Sequence, residues 1–149
     1  MDPTVRETHS AVLALVGDRA YKVKKPVRLP FLDFSTVAAR RTAVEREVAL
    51  NRRLAPDVYL GVGEWRAADR DTPGPGEPVL VMRRMPDDRR LTTLVTGPAR
   101  DPDALHDAVR AVARTVASFH SRAERSPAID AAGDPATIAA KFSTDVRES

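Results

Sequence analysis

The chain has 149 residues, 42% hydrophobic and 30% charged, with no cysteine and a formal net charge of +3. Such a composition can build a core, and it excludes a disulfide framework or a thiolate metal site. The longest apolar run, Ala11 to Val16, has strand length, and no basic-then-apolar segment opens the sequence. Neither a membrane span nor a secretory leader is therefore expected, and cytoplasmic residence is the expectation.

Residues 9–16 and 20–27 are apolar, β-prone runs, and Gly17-Asp18 between them suits a tight hairpin turn. Pro26 and Pro30 end the second strand, and Phe31-Leu32-Asp33-Phe34 reads as a connection that packs its aromatics. Ser35 is the expected N-cap of a helix running to about Leu54, closed by Ala55-Pro56. Residues 58–62 form a short strand with Trp65 packing nearby, and the Asp-, Gly- and Pro-rich stretch 69–78 is an exposed loop. Residues 79–82 form a buried strand that runs into Arg83-Arg84-Met85-Pro86. Beyond a short helical piece at 91–95, a long helix covers 103 to about 124. Its apolar positions Leu105, Val109, Val112, Val116 and Phe119 recur at three- and four-residue steps. Pro135 opens a last helix through Phe142. The expected class is α+β, with an antiparallel sheet carrying one long helix over residues 1–85 and a helical region over 86–149.

The first helix contains a local conflict. At about 100° per residue, Ala43, Val44, Val48, Leu50 and Leu54 fall on one stripe, with Glu47 near its middle and Arg40 and Asn51 beside it. Glu45 falls on the other side, next to Arg41 and Arg52, where surface ion pairs can form. A carboxylate turned inward costs several kcal/mol unless a cation meets it. Lys22 and Lys24 share one face of the preceding strand, because strand side chains alternate. A strand lysine held by a helix glutamate is the arrangement by which kinases set an ammonium on the phosphates of ATP. An amphipathic helix with one snorkelling glutamate is the alternative.

Several runs carry a resemblance. Glu7-Thr8-His9-Ser10, Tyr21-Lys22-Val23-Lys24-Lys25-Pro26, Phe31-Leu32-Asp33-Phe34-Ser35 and the segment from Leu50 to Leu60 come in order. Met82-Arg83-Arg84-Met85-Pro86-Asp87-Asp88-Arg89 and Ala117-Ser118-Phe119-His120-Ser121-Arg122-Ala123 follow. Together they resemble the bacterial aminoglycoside-phosphotransferase-like proteins often fused to a C-terminal P-loop ATP-binding domain. The resemblance spans Glu7 to about Phe142. It implies a protein-kinase-like N-lobe over residues 1–85, then a hinge and the start of a helical C-lobe over 86–149, with ATP held between lobes. On it, Lys22 is the first choice for the phosphate lysine, Lys24 the alternate, and Glu47 the paired glutamate. Met82, Arg83, Arg84 and Met85 become the hinge whose backbone meets the adenine edge.

The chain departs from this pattern in two ways. It has no G-x-G-x-x-G loop, so phosphate cover falls to backbone amides and to Thr8 or Ser10. After Glu124 only Asp130, Asp134 and Asp145 remain as aspartates, and none lies in an H-x-D-x-x-x-x-N context. Phosphoryl transfer from ATP to a hydroxyl by this polypeptide alone is therefore not expected, and Mg is expected only with a complete C-lobe. The implied partners are a nucleotide and either the rest of a C-lobe or another protein. A non-catalytic lobe that docks on a partner through apolar surface around Met82, Met85 and the second long helix is the competing reading.

The basic residues Lys22, Lys24, Lys25, Arg28, Arg40, Arg41, Arg46, Arg52 and Arg53 crowd the N-terminal half. They lack the interleaved aromatics of a nucleic-acid module, so nucleic acid is not the expected partner. His9, His106 and His120 have no metal-like spacing and read as surface or structural residues. Ser118 and Ser121 beside His120 lack an elbow and an orienting acid, and the arginines flanking Asp87-Asp88 read as solvated pairs.

Overall fold

A computed structural model of the protein describes residues 4–29, 32–66, 74–98 and 101–147. The first strand, β1 (Thr4–Glu7), is not announced by any apolar pattern; it forms by pairing with the edge of β2 (Ala11–Val16). β2 turns through Gly17-Asp18 into β3 (Arg19–Lys24), as the sequence leads one to expect. Gly17 takes φ +56°, a conformation that glycine adopts without steric cost and that suits the first position of a two-residue hairpin turn. A two-stranded ribbon follows, β4 (Arg28–Leu29) with β5 (Leu32–Asp33), so the connection is more ordered than expected. Of its aromatics, Phe34 is buried, and Phe31 lies outside the described residues.

The long helix α1 spans Val37–Asn51 and is capped by Thr36, not Ser35. Thr36 Oγ1 accepts from Ala39 N at 3.1 Å. Ser35 is unavailable as a cap because Asp33 captures it: both its amide (2.9 Å) and its hydroxyl (2.6 Å) donate to Asp33 Oδ1. After α1 come β6 (Tyr59–Trp65) and β7 (Glu77–Arg83), each longer than the sequence pattern indicates. Of the expected loop at 69–78, residues 69–73 lie outside the described set, whereas Glu77 and Pro78 belong to β7.

The main sheet runs β1-β2-β3-β7-β6, with every neighbouring pair antiparallel. Residues directly opposite in such a pair project to the same face. Leu13, Lys22 and Leu80 therefore form one row, and Leu15, Ala20 and Met82 form the next on the same face. α1 packs on that face: Val44 and Val48 close over the fully buried Leu80, with Tyr59, Val62 and Met82 around them. Leu50 and Leu54, expected on the inward stripe, are each 48% exposed. Their place at the helix end is taken by Arg52, whose guanidinium donates to the carbonyls of Tyr59 and Leu60 and ties α1 to β6.

Beyond β7 the chain turns through a short 3-10 segment at Asp87–Arg89 into α2 (Leu91–Thr96). α3 (Pro102–Arg122) is capped by Asp101, which accepts from Asp103 N and Ala104 N. α4 (Pro127–Ala132) and α5 (Pro135–Arg147) complete the described chain. The apolar stripe of α3 faces outward at Val109, Val112 and Val116, and no residue of that helix is buried. None of the helices among the described residues is long and apolar enough to cross a membrane.

One ion pair braces the lobe from within. Arg40, on α1, is 6% exposed and reaches Glu77 at the start of β7 through two hydrogen bonds of 2.5 and 2.7 Å. Its third contact, 2.7 Å to the carbonyl of Phe34, fixes the chain entering the helix. Removing one partner of a buried pair strands the other, at a cost of about 3–5 kcal/mol. Arg40→Ala should therefore lower stability by about that amount in urea unfolding followed by circular dichroism. Arg40→Ala combined with Glu77→Ala should be less destabilised than the sum of the single variants. Strict additivity would show that the pair is not coupled.

Candidate functional site

The helix–sheet interface brings together the three charged residues that the sequence singles out. Lys22 Nζ lies 2.9 Å from Glu47 Oε1, and Lys24 Nζ lies 2.9 Å from Glu47 Oε2. Each carboxylate oxygen thus has its own ammonium. The geometry follows from two periods. Residues two apart on β3 share a face, and position 47 of α1 lies between the buried turns of Val44 and Val48. Glu45 points to solvent as expected, but Arg41 and Arg52 do not pair with it. Arg41 meets Glu64 at 2.8 Å, and Arg52 is committed to backbone carbonyls.

The three side chains differ in exposure in a way that matters chemically. Glu47 keeps 18% of its side-chain surface, Lys24 only 11%, and Lys22 33%. Lys24 also sits over the Phe34 ring, 4.8 Å from its centroid, a cation–π contact. Lys25, the third lysine of the run, leaves the cluster and pairs with Glu7. Burial pushes the Glu47 carboxyl up, but the hydrogen bonds from Lys24 and Lys22 and their positive charges outweigh it. They hold the group below the usual carboxylate range.

With two ammonium groups and one carboxylate, the cluster carries a formal charge of +1, and no second acid pairs with either lysine among the described residues. A partly buried surplus of positive charge attracts an anion. Beside it, on the same sheet face and two strand positions away from Lys22, lies the apolar row Leu15, Ala20 and Met82, of which Leu15 and Ala20 are buried at 6% exposure. The sequence reading does not single out Leu15 or Ala20. Period-two alternation along β2 and β3, counted from Lys22, is the signal that finds them.

The segment from Met82 to Met85 leaves the sheet beside this row. Met82 and Arg84 are half-buried, while Arg83 and Met85 are exposed. Arg84 N donates to the carbonyl of Asp18 at 2.8 Å, and Arg83 N to that of Val58 at 2.9 Å, so the backbone leaves β7 held on both sides. Thr8, a candidate for phosphate cover, instead exchanges hydrogen bonds with Ala11 through its hydroxyl and closes the β1–β2 turn. His9, His106 and His120 are all exposed. His106 lies 2.8 Å from the Arg110 guanidinium, and the His120 ring tilts against Phe119. Among the described residues no group of three acids or histidines could hold a metal ion. Arg90 and Arg6 pair with Asp87 in solvent-exposed contacts.

The folded value of Glu47 lies below that of the unfolded chain. Its stabilisation is therefore fully present above the ordinary carboxylate value and is lost as pH falls through the depressed one. Glu47→Gln should cost about 1.5–3 kcal/mol near neutral pH. The gap between wild type and variant should close as pH falls through the depressed Glu47 value, below which both side chains are neutral. Comparing urea midpoints of the two proteins across this range isolates Glu47 from the exposed, also depressed, Glu7, Asp33 and Glu64. A gap independent of pH would remove the ionised carboxylate from the account.

Comparison with known proteins places relatives in mycobacteria. Over 144 residues the chain is 42% identical to the uncharacterized protein Rv2004c of Mycobacterium tuberculosis strain ATCC 25618 / H37Rv. The same identity holds for the uncharacterized proteins MT2060 of strain CDC 1551 / Oshkosh and Mb2027c of Mycobacterium bovis. Each match covers 97% of this chain and 28% of the relative, so the chain spans just over a quarter of the length of these proteins. No family model matches the chain, and no solved structure matches it.

Proposed function

We propose that this chain is the ATP-site lobe of a kinase-like phosphotransferase that moves a phosphoryl group from ATP to a hydroxyl of a small molecule. The observation that carries this reading is the Lys22–Glu47–Lys24 cluster: a strand ammonium aligned by a helix carboxylate, with one positive charge in surplus. Three further features support it. A helix crosses between the third and fourth strands in chain order of a five-stranded antiparallel sheet, which is how such a lobe is built. The row Leu15, Ala20 and Met82 places apolar, largely buried side chains next to the ammonium groups. The backbone leaving β7 at Met82–Met85 runs on from that row, where amide and carbonyl groups could meet the adenine edge.

In this reading the lobe binds and orients the nucleotide and supplies no general base. The sequence holds no H-x-D-x-x-x-x-N segment, so the base and the metal-binding acids would come from a complete C-lobe. ATP is the nucleotide, and Mg joins it only in that complete setting.

The exposed stripe Val109, Val112 and Val116 on α3, together with Met85 at 55% exposure, favours a second reading in which the lobe docks on another protein. Sedimentation separates the two. Self-association of the chain supports docking, and a stable dispersed monomer counts against it.

Titration calorimetry with ATP–Mg tests the leading reading. Lys22→Ala and Glu47→Ala should each weaken binding at least about tenfold, since each removes a charge-assisted contact or its orienting partner. Unchanged binding in Lys22→Ala, Lys24→Ala and Glu47→Ala together would reject the cluster as the phosphate site.

A further inference from the structure

The two lysines on Glu47 are not equivalent, and from this difference we infer that they divide the work. Lys24 is a fixed counter-ion that keeps Glu47 ionised and α1 docked whether or not a ligand is present. Lys22 is the movable ammonium that turns to an anion. This assignment rests on the anion-site reading of the cluster and adds to it a positioning residue that a single lysine–glutamate pair does not have.

Four observations separate the lysines. The Lys24 side chain is 11% exposed and that of Lys22 33%, so an incoming anion meets Lys22 first. Lys24 is held on two sides, by Glu47 Oε2 at 2.9 Å and by the Phe34 ring at 4.8 Å, whereas Glu47 Oε1 is the only hydrogen-bond partner of the Lys22 ammonium among the described residues. The ring under Lys24 is itself immobilised: Phe34 is 7% exposed, its amide donates to Val27 O at 2.9 Å, and its carbonyl accepts from Arg40 at 2.7 Å. Arg40 is in turn clamped to Glu77 on β7. Lys24 thus belongs to a continuous chain of contacts from β7 through α1 to the aromatic wall, and Lys22 stands outside it.

The energetic logic follows. If a single lysine served both Glu47 and a phosphate, engaging the anion would loosen the only contact that neutralises a partly buried carboxylate. With Lys24 fixed, Glu47 keeps one partner throughout, and Lys22 can rotate about its flexible stem without exposing an unpaired charge. α1 is then docked before the ligand arrives, so the anion does not have to order the helix on binding.

Two measurements on the full chain test this. Pulsed acetylation of the wild-type protein, read by mass spectrometry without nucleotide, should modify Lys22 several-fold faster than Lys24, whose amine is shielded. Equal or faster modification of Lys24 overturns the assignment. Hydrogen exchange and binding of ATP–Mg or of inorganic tripolyphosphate then separate the variants. Lys24→Met should speed exchange of the α1 amides about tenfold, with a smaller loss of binding, and Lys24→Arg should restore protection. Lys22→Met should abolish binding of either probe and leave α1 protection unchanged. Loss of binding in Lys24→Met as large as in Lys22→Met, with α1 unaffected, reverses the roles. A wild-type protein that binds neither probe fails the anion-site reading itself, while the acetylation and exchange results still decide whether Lys24 is the fixed partner.

Discussion

A carboxylate at the interface of a helix and a sheet governs how the two halves of this lobe fit. Glu47 could not face inward without cations to meet it, and two lysines from one strand face supply them at equal distance. This sets the rotation of α1 about its axis, because only one rotation brings position 47 over β3 while Val44 and Val48 cover Leu80. It also sets which face of the sheet carries charge. The hydrophobic contacts and the ion cluster therefore specify the same packing, the consistency expected of a sequence with a single folded arrangement.

A second charged contact works beside the first. Arg40 sits one turn before Val44 and is more buried than most of the apolar residues of α1. It spans from the chain entering the helix, at Phe34 and Ser35, to the start of β7 at Glu77. The strand that carries Leu80 is thus fixed at its first residue by the helix that packs on its middle. Through Phe34 the same brace supports the aromatic surface under Lys24. Two small electrostatic units, joined by one phenylalanine, hold α1 to the sheet at both ends of its buried stripe.

The two faces of the sheet have different characters. Opposite α1, the side chains of Val12, Ala14, Tyr21, Val23, Val79, Val81 and Trp65 line an open apolar trough of about 630 Å³. Trp65, expected to pack near β6, is the last residue of that strand and stands at the edge of the trough at 59% exposure, on the face away from α1. The helices after β7 likewise expose many of their apolar residues, among them Val109, Val112 and Val116, and Arg53 stacking on Phe119 at 4.7 Å is a contact between α3 and the segment that follows α1.

The local units are legible in the order of residues alone. Apolar, β-prone runs marked β2, β3 and the core of β7; Gly17 marked the turn; and helical period placed Glu47 inward and Glu45 outward. These follow from nearest-neighbour geometry, which any stretch of chain carries within itself. The same order also showed that Lys22 and Lys24 share a face, and hence that a cationic partner for Glu47 was at hand. The remaining features depend on contacts between distant parts of the chain. β1 forms because β2 offers unpaired backbone groups, which no pattern within residues 4–7 records. Thr36 replaced Ser35 as the cap because Asp33 competed for Ser35 first. Leu50 and Leu54 stayed exposed because Arg52 anchors that end of the helix instead. Arg40 found Glu77 across 37 residues, and Lys24 found Phe34 by the folding back of a ribbon. Such partners lie far apart in the chain, and their pairing depends on strand order and helix placement, which local periodicity does not encode.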